Sequence, residues 1–219
     1  MGLFGGLDAN SQLFIQGYFT TITLTVAALG SALVIGTVAA SARVWGGPVV
    51  QSFVRGYVEF FRNTPLLVQL LFYAVLLAPA NLNITRDPMV AAIIGLSIYT
   101  GAYVTEVVRS GIISVDPRQI EAARSLGLSQ LEALRFVVLP QAIRTVIPPL
   151  GNLSIALVKN TAIAGGIAAT DLLKVAGIIE SRTGGDFTPY IAILVAYWTL
   201  TLPLAWAVSR LERRLAFAR

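Results

Sequence analysis

Lys159, Asn160 and Thr161 put a cation, an amide and a hydroxyl side by side in an otherwise apolar stretch. A lysine in a membrane span costs roughly 2.5–3.5 kcal/mol on insertion scales, so it normally faces a bundle interior or a water-filled cavity. Asn and Thr each donate and accept hydrogen bonds, the combination that a small zwitterion needs. Two chemistries suit Lys159: contact with a polar solute or gate, or pairing with a carboxylate that holds helices together. Glu106 is the intramembrane candidate partner, although Glu106 and Arg109 are also spaced (i, i+3) for a local pair. Gln69, Thr100 and Tyr103 add polar contacts if they face the same interior; otherwise they hydrogen-bond between packed spans.

Covalent catalysis has little to work with here. The chain has no Cys and no His, which removes thiol chemistry, disulfides, the commonest general base and the commonest transition-metal ligand. No G-x-x-x-x-G-K-[ST] stretch occurs, so any ATP-driven step relies on another chain. We expect no catalytic residue, no metal and no cofactor bound by this chain.

The elements that position these residues must live in lipid. The 219 residues are 56% hydrophobic and 12% charged, with a mean hydropathy of +0.75, whereas a soluble domain carries about 25% charged residues. Five apolar runs approach the roughly 20 residues that a helical span requires: about 19–42, 65–80, 89–108, 146–169 and 190–208. The second is short unless the segment before it contributes. Small residues such as Gly30, Ser31, Gly36, Gly95 and Gly101 suit close helix contacts in lipid. Gly151, Gly165, Gly166 and Pro149 suit either packing or a broken fourth span. If five spans alternate, 12 of the 16 cations fall on one side. The positive-inside rule then places the N-terminus outside and the C-terminus in the cytoplasm. The net charge of +5 reflects this asymmetry and not a nucleic-acid partner. No Lys or Arg precedes Arg43, so the first run reads as a permanent span and not a cleaved leader. Residues 55–62 read as an amphipathic lead-in along the cytoplasmic interface, with Thr64 as the N-cap of the second span.

Residues 116–138 leave the oil. Asp116, Pro117 and Gln119 spell N-cap, first-turn proline and capping-box partner. Gly127 suits a left-handed C-terminal cap, and Ser129 with Glu132 spells a second capping box. Pro140 should punctuate after about Val138. The product is a knob: Ala122 and Ala123 admit another backbone, and Glu121 and Arg124 reach across a contact. An amphipathic loop resting on lipid head groups fits the same residues.

The order of these residues resembles the EAA motif of ABC importer permeases, read here as Glu121-Ala122-Ala123, Gly127 and Val137-Val138-Leu139-Pro140, with Val137 where Ile is usual. EFFRNTPLLVQLLF (59–72), YVTEVVRSGI (103–112), LPQAIRTVIPPLGN (139–152) and LVKNTAIA (157–164) are similar to segments of the polar amino acid subfamily. Asn63 stands where a Gly is frequent. The resemblance implies an all-α polytopic permease with the type I importer fold and five spans, in one domain of a bacterial cytoplasmic (inner) membrane. It implies that Glu121, Ala122, Ala123, Arg124 and Gly127 form the coupling helix seated in a cytoplasmic ATPase dimer, which binds the ATP and Mg. A second permease subunit, identical or homologous, and an extracytoplasmic amino-acid-binding protein complete the expected partners. Related chains often read K-D-T-S where this one reads K-N-T-A. Loss of that Asp at Asn160 favours an acidic or amide amino acid (glutamate, aspartate or glutamine) over a basic one such as arginine or histidine. The rivals are a secondary transporter, disfavoured because Glu106 is the only acid placed near a span, and a membrane scaffold that uses the knob to recruit a cytosolic protein.

Overall fold

A computed structural model describes residues 9–215. Arg219 and the residues before Ala9, which enter the charge count and the leader reading, lie outside the described residues. Those described form helices, with no strand among them.

The uncharged stretch up to Arg43 becomes one long helix, α1 (Ala9–Trp45). It packs most extensively on α4 (Pro88–Ile113). Small residues make this possible: Ala28, Ala32 and Ala40 are fully buried. A Cβ built on Gly36 would lie 2.4 Å from Val104 Cγ1, so the α1 backbone rests directly on that side chain.

Between them run α2 (Pro48–Asn63) and α3 (Leu66–Leu76). α2 buries Val54 and Val58 and leaves Arg55, Glu59 and Arg62 exposed. Its buried face meets protein. Its Tyr57 hydroxyl donates to the Ile98 carbonyl at 2.7 Å, which sets α2 against the middle of α4. An amphipathic pattern looks the same on a lipid surface and beside a buried helix. α3 has 11 residues, about 16 Å of helix at the usual rise, well short of a hydrocarbon core of about 30 Å. The break before it is held by Gln69, whose Nε2 donates to Phe61 O (3.0 Å), Thr64 O (3.1 Å) and Thr64 Oγ1 (2.6 Å). Pro65, not Thr64, is the N-cap, and the Thr64 hydroxyl turns back to donate to Phe60 O.

After α4 come α5 (Pro117–Ser125), the short α6 (Gln130–Ala133), a π-helical turn (Leu134–Val138) and α7 (Leu139–Asn160). Pro140 does not end the helix as expected. The widened turn before it carries the bond from Leu139 N to Leu134 O, and Pro140 then falls in the first turn of α7, where a missing N–H matters little. The fourth run does break: α7 passes into a 3-10 segment (Thr161–Ile167), Ala168 takes a left-handed φ of 66°, and α8 (Leu172–Arg182) leaves at 50°. Gly165 and Gly166 lie in the broken part. Gly151 is a packing glycine, since a Cβ there would lie 2.5 Å from Val208 Cγ1 of the last helix, α9 (Thr188–Leu215).

Ala9–Trp45, Pro88–Ile113 and Thr188–Leu215 are each long and apolar enough to cross a membrane, and the bent pair around residue 168 adds a fourth. One apolar cluster joins α1, α3, α4, the end of α7 and the 3-10 segment through Leu24, Leu70, Leu96, Leu157 and Ala164. A second joins α8 and α9 through Leu172, Ala176, Ile193 and Ala196, with Phe14 and Tyr18 of α1 against it.

Candidate functional site

The knob is assembled almost entirely from local signals. Asp116 accepts from Arg118 N at 2.9 Å and starts α5. Gln119 is not its capping-box partner; its side-chain oxygen accepts from Gln141 Nε2 and ties α5 to the start of α7. Gly127 has a φ of 88°, the left-handed turn that stops α5. Leu128 N then bonds back to Ala123 O. The second capping box forms as spelled: Ser129 N donates to Glu132 Oε2 at 2.8 Å, and Glu132 N to Ser129 Oγ at 3.3 Å. These bonds hold the Glu132 carboxyl below the usual carboxylate range, the Ser129 hydroxyl acting most strongly.

Glu121, Ala122 and Arg124 are exposed, whereas Ala123 is buried against the chain itself and offers no side chain to a visitor. Sequence reasoning missed two residues of this surface, Leu126 (82% exposed) and Leu131 (73% exposed). Apolar positions in a short amphipathic helix look like core, and only the turn at Gly127 swings them outward.

Above the knob, Glu106 bridges α1 and α4. Its carboxylate accepts from Arg43 Nη1 at 2.7 Å and also holds the Arg109 guanidinium. The local alternative is therefore the one that forms, with Arg43 added, and Glu106 does not pair with Lys159. Lys159 is exposed on the chain's surface and makes no ion pair with a described residue.

Asn160 is half-buried, and Thr161 is fully buried with its hydroxyl donating to Val158 O at 2.7 Å. Thr100 is buried inside α4. The Tyr103 hydroxyl is 3.1 Å from that of Tyr99, and Arg62 lies over the Tyr103 ring. The 3-10 segment that begins at Thr161 packs against α3 and α4, and Glu106 lies in a separate ion cluster.

One residue corrects the acid inventory. Asp171 is fully buried, so Glu106 is not the only acid beside a span. It caps α8, accepting from Leu173 N (3.2 Å) and Lys174 N (3.0 Å), and also accepts from the Tyr197 hydroxyl of α9 (3.2 Å). The sequence signal was present in T-D-L-L at 170–173, an Asp before an apolar run. It predicts a cap and gives no hint of burial.

Residues 32–217 match the model of the binding-protein-dependent transport system inner membrane component. The chain belongs to that family. As an inner membrane component it is similar to a protein named as a probable glutamine ABC transporter permease in Bacillus subtilis (strain 168), at 40% identity over 94% of each chain. It is also similar to a glutamate transport system permease of Corynebacterium efficiens, at 35% identity over 92% of this chain and 93% of that one. Among solved structures, a crystal structure of an amino acid ABC transporter with histidines aligns with a TM-score of 0.83. It shares 38% identity, over 93% of this chain and 94% of that one. The fold of this inner membrane component is that of a type I ABC importer permease.

Proposed function

We propose that this chain is the membrane permease of an ATP-driven importer for a polar amino acid with an amide or acidic side chain, with glutamine and glutamate first in line. The observation that carries the reading is the doubly capped knob, with Glu121, Arg124, Leu126 and Leu131 exposed together in a chain of this family. Two capping motifs and a left-handed glycine make a stiff handle. Its exposed leucines beside Glu121 and Arg124 suit a protein cleft better than water.

In this reading α1, α2 with α3, α4, α7 with the 3-10 segment, and α9 make five spans, in one domain covering the whole chain. The basic end, with Arg43, Arg109 and the knob, faces the cytoplasm, and the N-terminus lies outside. A cytoplasmic ATPase dimer binds ATP and Mg and grips residues 117–138; this chain hydrolyses nothing. A second permease copy or relative pairs with it, and an extracytoplasmic binding protein delivers the amino acid. ATP and the loaded binding protein each favour one of two pre-existing arrangements of the spans.

Lys159 supports both the path and the pairing. An exposed cation in a spanning helix cannot face lipid without a cost of roughly 2.5–3.5 kcal/mol. It therefore faces the second permease or the water-filled route between them. There its ammonium meets the substrate carboxylate, and Asn160, uncharged, leaves room for an amide or acid side chain. Gln69, Thr100, Thr161 and Tyr103 shape the wall behind it, and Glu106 fixes α1 to α4 instead of meeting substrate.

The test is uptake of labelled glutamine and glutamate into cells expressing the chain with its ATPase and binding protein, competed by arginine, aspartate and histidine. Competition by amide and acidic amino acids supports the reading. Strong competition by arginine alone would replace it with a basic-amino-acid importer.

A further inference from the structure

Four aspartates among the described residues begin helical turns, and three of them do so at the surface. Asp87, Asp116 and Asp186 are exposed and accept from Met89 N, Arg118 N and Thr188 N. Asp171 performs the same backbone capping while fully buried. Capping alone does not account for that placement. Asn and Ser cap about as well as Asp without a charge, and an ionised carboxylate taken from water is expensive unless its partners are numerous.

Beyond the α8 backbone, the surroundings of Asp171 come from α9, α1 and the 3-10 segment. Tyr197 of α9 donates to Asp171 Oδ2 at 3.2 Å. Thr21 of α1 and Thr161, at the start of the 3-10 segment, are both fully buried. Thr21 Oγ1 in turn accepts from Leu172 N at 3.3 Å. Packing is equally close. A Cβ on Gly165 would lie 3.0 Å from Asp171 Oδ1, and one on Gly17 would lie 3.2 Å from Asp171 O and 2.8 Å from Val175 Cγ2. Ala168, at a φ of 66°, holds an uncommon conformation for a residue with a Cβ just before this site. Asp171 and Tyr197 together join α1, the 3-10 segment, α8 and α9.

We propose that Asp171 and Tyr197 form a clamp that locks the 3-10 segment Thr161–Ile167 to α8 and α9, so that α8 and the polar run 159–161 move as one body. α8 carries Lys174, Glu180, Ser181 and Arg182 along an open groove of about 660 Å³ that also includes Gly165. In the transport reading, on which only this consequence rests, an event at that groove reaches Lys159 and Asn160 without slack. Asp171 and Tyr197 are positioning residues; neither touches the transported molecule.

The chain has no native cysteine, so single thiols report directly on the clamp. Ala164 and Ala176 are both fully buried, the first in the 3-10 segment and the second in α8. Ala164→Cys and Ala176→Cys are made separately in the full chain, and maleimide labelling rates are read in membrane vesicles. The clamp predicts slow labelling at both sites, and acceleration of about tenfold or more at Ala164→Cys when Asp171→Ala or Tyr197→Phe is added, as local opening becomes easier. Asp171→Asn, which keeps a capping oxygen and a partner for Tyr197, should restore slow labelling. If Asp171→Ala accelerates only Ala176→Cys, or Tyr197→Phe leaves Ala164→Cys slow, Asp171 is a helix cap and the clamp is wrong. Tyr197→Phe leaves the backbone cap intact, so it decides the matter even if Asp171→Ala does not insert. Because labelling needs no substrate, a chain that imports no amino acid would defeat the transport reading and leave the labelling test of the clamp unaffected.

Discussion

The segment at 117–138 and the junction at 161–171 both interrupt long helices, yet they are built in opposite ways. The first is exposed and closed by neighbours in sequence: Asp116 to Arg118, Ser129 to Glu132, Gly127 at a φ of 88°. The second is buried and closed by residues far apart, Thr21, Asp171 and Tyr197. A handle must keep its shape while another protein pushes it, and local caps give that rigidity without help from the bundle. A junction that passes motion between helices has to bond to each of them. In the proposed reading, the difference separates where force enters from where it is converted.

Substitutions at the two ends should therefore fail differently. The largest effect is expected for Glu121→Lys, which reverses the charge on the exposed face of the handle. Uptake should be abolished while the chain still inserts and a thiol at Ala164→Cys stays protected. Normal uptake by that variant would remove Glu121 from the coupling surface. Lys159→Met should lower uptake by about tenfold, the scale of one lost charge-assisted contact, with the ATPase still bound. Unchanged uptake would make Lys159 a contact between subunits only.

A smaller change is expected for Asn160→Asp. The added charge should shift competition a few-fold toward arginine and away from glutamate, the direction set by Coulomb attraction in a partly dry site. Identical competition profiles would take Asn160 out of the specificity account. The smallest effect belongs to pH at the handle. The Glu132 carboxyl sits below its usual range because Ser129 bonds to its ionised form. Its support for the second capping box is therefore complete above the unfolded value of about 4.3 and disappears as pH falls through the lower folded value. Amide protection of residues 130–133, corrected for intrinsic exchange, should exceed that of Glu132→Gln near pH 6 and match it in stronger acid. A difference that persists in acid would mean that the carboxylate is not what holds the turn.

The handle was legible in the sequence because its signals are short-range. Gly127 and the Ser129–Glu132 box sit where their residue types place them. Gln119 misled because the same side chain serves a local cap or a bond to Gln141, and spacing cannot tell them apart. Glycine placement left the break beyond Thr161 as one of two readings, and the long apolar helices followed from composition. The attitude of α2 did not, since Arg55, Glu59 and Arg62 mark a polar face without saying what the opposite face meets. Asp171 was hidden for a different reason. Its local pattern is that of an ordinary cap, and what buries it is Tyr197, 26 residues on, with Thr21 from the first helix. Pairing across such separations leaves no periodic trace.

The most direct test of the account is isolation of the chain from native membranes in mild detergent, as wild type and as Gly127→Asp. Gly127 needs a left-handed backbone, where an Asp is strained, so the variant disturbs the handle and leaves the spans alone. The account predicts that a P-loop ATPase travels with the wild type and is lost or strongly reduced with the variant. A wild-type chain that carries no ATPase, or a Gly127→Asp chain that carries as much as wild type, would contradict it.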